Sequence, residues 1–210
     1  MNSLLPLTLG DENTSPYAGF WRRTAAHIVD LLILAPYGFL TYYLQKSNYY
    51  VLLLFLVIAI AFQFFWTIYL LKRFGGTPGK LICGVMVVRK DGRRANWREA
   101  ILRNVVDFPY GVYMSFFSLW VIHSIGYDVF QSLSFMEFGR QTAENAPSFH
   151  KIIGFGFGIW FWGELIVLLF NKRKRAIHDF IAGTVVIKKR LLPLIEGHIG
   201  PSPNNSFERT

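Results

Sequence analysis

The 210-residue chain is 52% hydrophobic and 17% aromatic, with a mean hydropathy of +0.32 and a formal net charge of +9. So apolar a composition, spread unevenly along the chain, excludes an ordinary soluble domain and points to a multi-pass membrane protein. A single cysteine, Cys83, excludes an internal disulfide or a thiolate cluster.

Residues 1–16 read as a flexible lead, and the first span, rather than a removable leader, is expected to direct insertion. Tyr17 to Trp21 is aromatic and runs into Arg22-Arg23, an interfacial anchor for a first span over about 24–44. That span carries His27, Asp30 and, near its far end, Pro36. A carboxylate deep in a spanning helix costs roughly 2.5–3.5 kcal/mol, so Asp30 calls for a partner, a water path or a proton. A short loop at Gln45–Asn48 leads to an uncharged second span over 48–71, which makes the first helical hairpin.

The loop that follows is patterned. Val85-Met-Val-Val-Arg-Lys-Asp-Gly-Arg-Arg reads as a strand and an Asp91-Gly92 turn. Asn96-Trp-Arg-Glu99 reads as a capping box that starts a basic amphipathic helix at the membrane interface. A third span is expected over 105–127. A longer loop with Val129, Phe130, Leu133 and Met136 at helical spacing follows, and then a fourth span over 152–170. Lys172-Arg-Lys-Arg175 closes that span, and residues 191–210, rich in Gly, Pro, Asn and Ser, read as a disordered tail. Gly154 and Gly158 form a GxxxG pair suited to close helix packing within the monomer or to a dimer contact.

Charge sets the orientation. Of the 22 Lys and Arg residues, nineteen precede span 1, follow span 4 or lie between spans 2 and 3. Only Lys46, Arg140 and Lys151 fall in the other two loops. The positive-inside rule therefore places both termini and the middle loop in the cytoplasm. The basic excess fits anionic lipid headgroups, and no nucleic acid partner is expected. The fold expected is an all-α integral membrane protein of four transmembrane helices in two hairpins, with a small cytoplasmic β element.

Lys80-Leu-Ile-Cys-Gly-Val-Met-Val-Val-Arg-Lys90 aligns without gaps with Asp179-Phe-Ile-Ala-Gly-Thr-Val-Val-Ile-Lys-Lys189. Two strands so placed, one after each hairpin, are able to pair and tie the halves together, with Lys80 set against Asp179. Arg23, His27 and Asp30 stand at i, i+4 and i+7 on one helix face, with Asp30 about 10 Å along the axis from Arg23. Asp107, one turn after Arg103, and Glu164, six residues before the end of span 4, sit at a depth similar to that of Asp30. If their helix faces converge, these carboxylates line an acidic cavity ringed by Arg23, Lys80 and Arg103. Two readings stand for that set: a site that exchanges a proton for a cation, or a buried polar network that locks the helices in register.

Other chemistry finds little support. Gly75-Gly-Thr-Pro-Gly-Lys80 departs from the phosphate-loop pattern, with Leu81 where Ser or Thr belongs. His27 with Asp30 and His178 with Asp179 lack a further His/Cys cluster, so no metal is expected. No nucleophile has a supporting base, and neither an enzyme nor a cofactor is expected.

These landmarks resemble the RDD family of bacterial membrane proteins, named for one arginine and two aspartates. The resemblance rests on Ala18-Gly-Phe-Trp-Arg-Arg-Thr-Ala-Ala-His-Ile-Val-Asp30, on Gly76-Thr-Pro-Gly-Lys80 with Gly84-Val-Met-Val-Val, on Arg103-Asn104, and on His178-Asp-Phe-Ile-Ala-Gly-Thr-Val-Val186. It covers most of residues 17–190, expected as one membrane domain. By position Arg23, Asp30 and Asp179 match the family's polar motif, with Arg22 as a neighbouring alternative for the arginine. The resemblance implies a bacterial cytoplasmic membrane protein and suggests transport, at least one relative being a cation/proton antiporter. Protons and monovalent cations are then the expected partners, on a path through Asp30, His27, Asp107 and Glu164, and a homodimer suits so few helices. The alternative is a non-catalytic membrane scaffold or an assembly factor for a partner complex.

Overall fold

The computed structural model describes residues 5–8 and 14–199. In chain order the helices and strands are α1 (Phe20–Gln45), α2 (Tyr49–Phe64), α3 (Leu70–Phe74), α4 (Pro78–Ile82), β1 (Val85–Arg89), α5 (Trp97–Arg103), α6 (Asp107–Ile125), α7 (Tyr127–Ser132), α8 (Phe135–Glu144), α9 (Ser148–Phe170), α10 (Ile177–Ala182), β2 (Thr184–Lys188) and α11 (Leu192–Ile199). Among the described residues three helical segments are long and apolar enough to cross a membrane: Phe20–Gln45, Tyr49–Ile82 taken through its breaks, and Ser148–Phe170. The pair α5 and α6 makes a fourth if it is counted as one span.

The break in the second span is a π-helical turn at Phe65–Tyr69 between α2 and α3. Gly75, at φ 80, ends α3 in the left-handed conformation and returns its N–H to the Leu71 carbonyl. After α5 the Asn104 amide donates to the carbonyls of Ala100 (2.9 Å) and Thr67 (3.3 Å). The capping box before α5 is present, with Glu99 Oε2 accepting the Asn96 N–H at 2.9 Å.

The chain divides into two compact units. The first comprises the described residues of 1–31, 66–105 and 163–210, and the second residues 32–65 and 106–162. The first unit is built on the sheet. β1 and β2 pair antiparallel with Val87 opposite Val186, so the strands of the internal echo do meet. An isolated two-stranded sheet is marginal in water, and this one is covered on both faces. Met86, Val88, Val185 and Ile187 pack with Leu5, Tyr17 and Ile195 of α11. Pro16 to Ala18 runs along the free edge of β2, through Ala18 N–H to the Val186 carbonyl and Lys188 N–H to the Pro16 carbonyl. That cover removes an open strand edge. Residues 192–199, read from sequence as part of the loose tail, form α11 because Ile195 has this apolar face to bury. Residues 200–210, and 1–4 and 9–13 of the lead, lie outside the described residues.

The second unit is helical. Tyr42, Leu52, Ile122 and Phe130 form its core. The single interfacial helix expected after span 3 is two helices, α7 and α8, divided at Leu133, with Ser134 and Glu137 forming a capping box for the second. Tyr42 donates to the Leu133 carbonyl at that break. A Cβ added at Gly154 or Gly158 would meet nothing within 4 Å, so the packing within the monomer expected of the GxxxG pair is not observed.

Candidate functional site

Asp179 is the centre of the polar network, and its position follows from local chain rules. The basic turn after α9 ends at Ala176, whose N–H is the first orphan donor of α10. Asp179, at the third position of that helix, reaches back to it with Oδ2 at 3.1 Å. Gly183, at φ 68, then closes α10 and starts β2.

Two arginines from distant parts of the chain complete the Asp179 shell. Arg23 Nη1 of α1 donates to Oδ2 at 2.8 Å, and Arg103 Nη1 of α5 donates to Oδ1. The Thr184 hydroxyl donates to Oδ1 at 3.1 Å and itself accepts from Arg103 at 2.8 Å. Asp179 and Thr184 are fully buried, and Arg103 and Arg23 are only 6% and 8% exposed. Burial pushes the Asp179 carboxyl up, but the charges of Arg103 and Arg23 outweigh it and hold the group well below the usual carboxylate range. Arg23 spends its other nitrogens on backbone, Nε on the Ala18 carbonyl and Nη2 on the Lys174 carbonyl. Lys174 is the one non-glycine described with a positive φ, at 49°. The planar guanidinium, with its donors in a fixed fork, suits three acceptors spread around it in this way. Arg175 extends the network from the α10 side, to the carbonyls of Asp179 and Thr184.

Asp30 does not join that cluster. Its Oδ2 accepts the Thr77 hydroxyl at 2.5 Å and its Oδ1 accepts the Gly79 N–H at 2.8 Å. The carboxylate of α1 thus caps α4, and the partner that its burial calls for is the Gly-Thr-Pro-Gly turn. The turn approaches so closely that a Cβ on Gly79 would overlap the Ala26 carbonyl and stand 2.7 Å from Asp30 Cγ. That approach is why the position is glycine.

Glu164 pairs with His178. The His178 N–H donates to Glu164 Oε1 at 2.7 Å, and the imidazole Nδ1 lies 2.7 Å from Oε2. Burial and then the charge of Arg103 push the His178 imidazole below the usual histidine range, while Glu164 and Asp179 pull it the other way.

The first unit therefore brings together Arg23, Asp30, Arg103, Glu164 and Asp179 of the residues singled out from sequence. His27 and Lys80 belong to the same unit, within electrostatic reach of Asp30 and of Arg103. One expectation is corrected. Asp179 takes Arg23 and Arg103 rather than Lys80, because each guanidinium meets a different oxygen while a second nitrogen or a neighbouring hydroxyl is satisfied as well. Asp107 belongs to the second unit, where its Oδ1 accepts the Trp160 indole N–H at 3.3 Å.

Sequence reasoning missed Thr77, Thr184 and the Glu164–His178 pairing. The internal echo carried a signal for the last. It sets His178 at the position of Gly79, and both backbone N–H groups cap onto a carboxylate of a long helix.

No solved structure matches the chain. It is similar to the "Uncharacterized protein YckC" of Bacillus subtilis (strain 168), 27% identical over 174 residues that cover 80% of this chain and 83% of that protein. The RDD family model matches residues 17–183, the stretch that holds Arg23, Asp30, Arg103 and Asp179, and the chain belongs to the RDD family.

Proposed function

We propose that this RDD protein exchanges small cations for protons across the bacterial cytoplasmic membrane, with both termini inside and no enzymatic step. The observation that carries the reading is the concentration of charge in the first unit. Arg23, Asp30, Arg103 and Asp179 are all buried in this unit, Arg23 and Asp30 within the apolar α1, and Glu164 of the apolar α9 is partly buried there. Ionisable groups so placed are costly and mark ion or proton paths more often than they mark ordinary packing. The asymmetry of Lys and Arg supports the orientation and sets the basic loops against anionic headgroups. A homodimer supplies the helix number that a carrier of three or four spans lacks.

A second reading, a non-catalytic scaffold or assembly factor, draws on a specific observation: both oxygens of Asp30 and of Asp179 are satisfied within the chain. Purified protein in liposomes, loaded with a pH-sensitive dye and challenged with Na⁺ or K⁺ gradients, separates the two. Exchange expects cation-driven proton movement that protein-free vesicles lack. The scaffold reading expects no flux from the wild type with any cation, and a lower melting temperature for Asp30→Asn.

A further inference from the structure

The two halves of the first unit are related by the sheet. α4 and β1 match α10 and β2 residue for residue, Gly79 with His178 and Val87 with Val186. The ladder obeys that match. Val87 pairs with Val186, and the bonds that close its two ends, Lys90 N–H to the Gly183 carbonyl and Lys189 N–H to the Gly84 carbonyl, exchange with one another under it. Each short helix is capped at the matching position by a carboxylate from a long helix, Gly79 by Asp30 and His178 by Glu164.

The second carboxylate oxygen is where the two caps differ. Asp30 Oδ2 receives a threonine hydroxyl, which does not titrate. Glu164 Oε2 stands 2.7 Å from an imidazole nitrogen, which does. His178 Nε2 is also buried without a hydrogen-bond partner among the described residues, a costly state that calls for an explanation. Nε2 lies 3.9 Å from Asp179 Oδ1, so a proton arriving there is met by a carboxylate already fixed in place.

We infer that Glu164 and His178 form a proton-binding pair, one proton held between Glu164 Oε2 and His178 Nδ1 and a second taken up from water at His178 Nε2, while Asp30 serves as the fixed counterpart. The charges that bear on the pair come from every neighbouring element. They are Arg23 and His27 of α1, Arg103 of α5 and Asp179 of α10, with Lys80 of α4 acting on His27. Groups this close titrate as a unit, so the proton belongs to the pair. The inference rests on the exchange reading for its use, since it names the group that carries the proton, but proton binding is measurable without flux.

The test is infrared difference spectroscopy of the full-length protein in lipid nanodiscs, stepped from neutral to acid pH. The wild type is expected to give an imidazolium component on acidification that His178→Gln removes. Glu164→Gln, which keeps an acceptor for the His178 N–H but removes the carboxylate that holds the first proton, should move the midpoint of that component down by about 1 pH unit or more, and Asp30→Asn should leave it in place. If Glu164→Gln does not fold, histidine ¹⁵N resonances of the wild type carry the test, with His178 expected to titrate through a tautomer protonated at Nδ1. A midpoint unchanged in Glu164→Gln, or a His178 resonance that does not titrate, overturns the inference. Liposome flux separates the two failures. No flux with a titrating pair removes the exchange reading alone, and flux with an unaltered pH profile in Glu164→Gln removes the pair alone.

Discussion

Replacing Asp179 with Asn removes one charge and almost no volume, and it should be among the most damaging single changes available to this chain. The amide oxygen can still accept the Ala176 N–H, so the cap of α10 survives in part. What is lost is the counter-charge of Arg23 and Arg103, both left buried. Removing one partner of a buried ion pair typically costs about 3–5 kcal/mol. At roughly 2–4 °C per kcal/mol for a chain of this size, the melting temperature should fall by roughly 6–20 °C. Thermal unfolding in detergent or nanodiscs, followed by circular dichroism, measures it. Adding Arg23→Gln to Asp179→Asn should cost less than the two single changes together, because the pair then leaves at once. A fall of under about 2 °C for Asp179→Asn, with unchanged helicity, would refute the view that this clamp holds the sheet to α1 and α5.

Gly79→Ala should lower the melting temperature as well, by an amount matching an overpacking cost of about 1–3 kcal/mol, since the new methyl meets the Ala26 carbonyl and Asp30. Gly158→Ala, where a Cβ meets nothing, should leave melting unchanged and serves as the control in the same assay. Stability should also fall on acidification, in two phases. The folded-state values of His178 and Asp179 both lie below their unfolded ones. Each contribution is therefore complete above the unfolded value and lost as pH falls toward the folded one. His178 acts first, below about 6.5, and Asp179 below about 3.9. Melting temperature measured against pH should lose the upper phase in His178→Gln and the lower in Asp179→Asn.

The long apolar helices, the capping box before α5 and both strands were legible in the sequence because each depends on residues near one another in the chain. Apolar runs with no charge, an Asn-x-x-Glu spacing and β-branched stretches after a glycine are local signals. The pairing of β1 with β2 was legible for a different reason, the repetition of one pattern in both halves. Asp30 was conspicuous as a costly charge, and that physical inference was sound: it does have partners inside the chain. Which partners it has was not legible. His27 and Arg23 share its helix face, yet the groups that reach it come from a turn about fifty residues away, because close packing of Gly79 brings a backbone N–H to the carboxylate.

Sequence by itself thus determined which segments are apolar enough to span, where the basic residues gather, and which charged residues need an explanation. Tertiary structure alone decided how those charges are matched. Arg23 and Arg103 converge on Asp179, Thr77 and Gly79 on Asp30, and His178 on Glu164. Charge attracts charge without regard to order along the chain, so spacing cannot rank the partners. What ranks them is geometry: two guanidiniums that satisfy different oxygens of one fully buried carboxylate exclude the ammonium of Lys80 from that place.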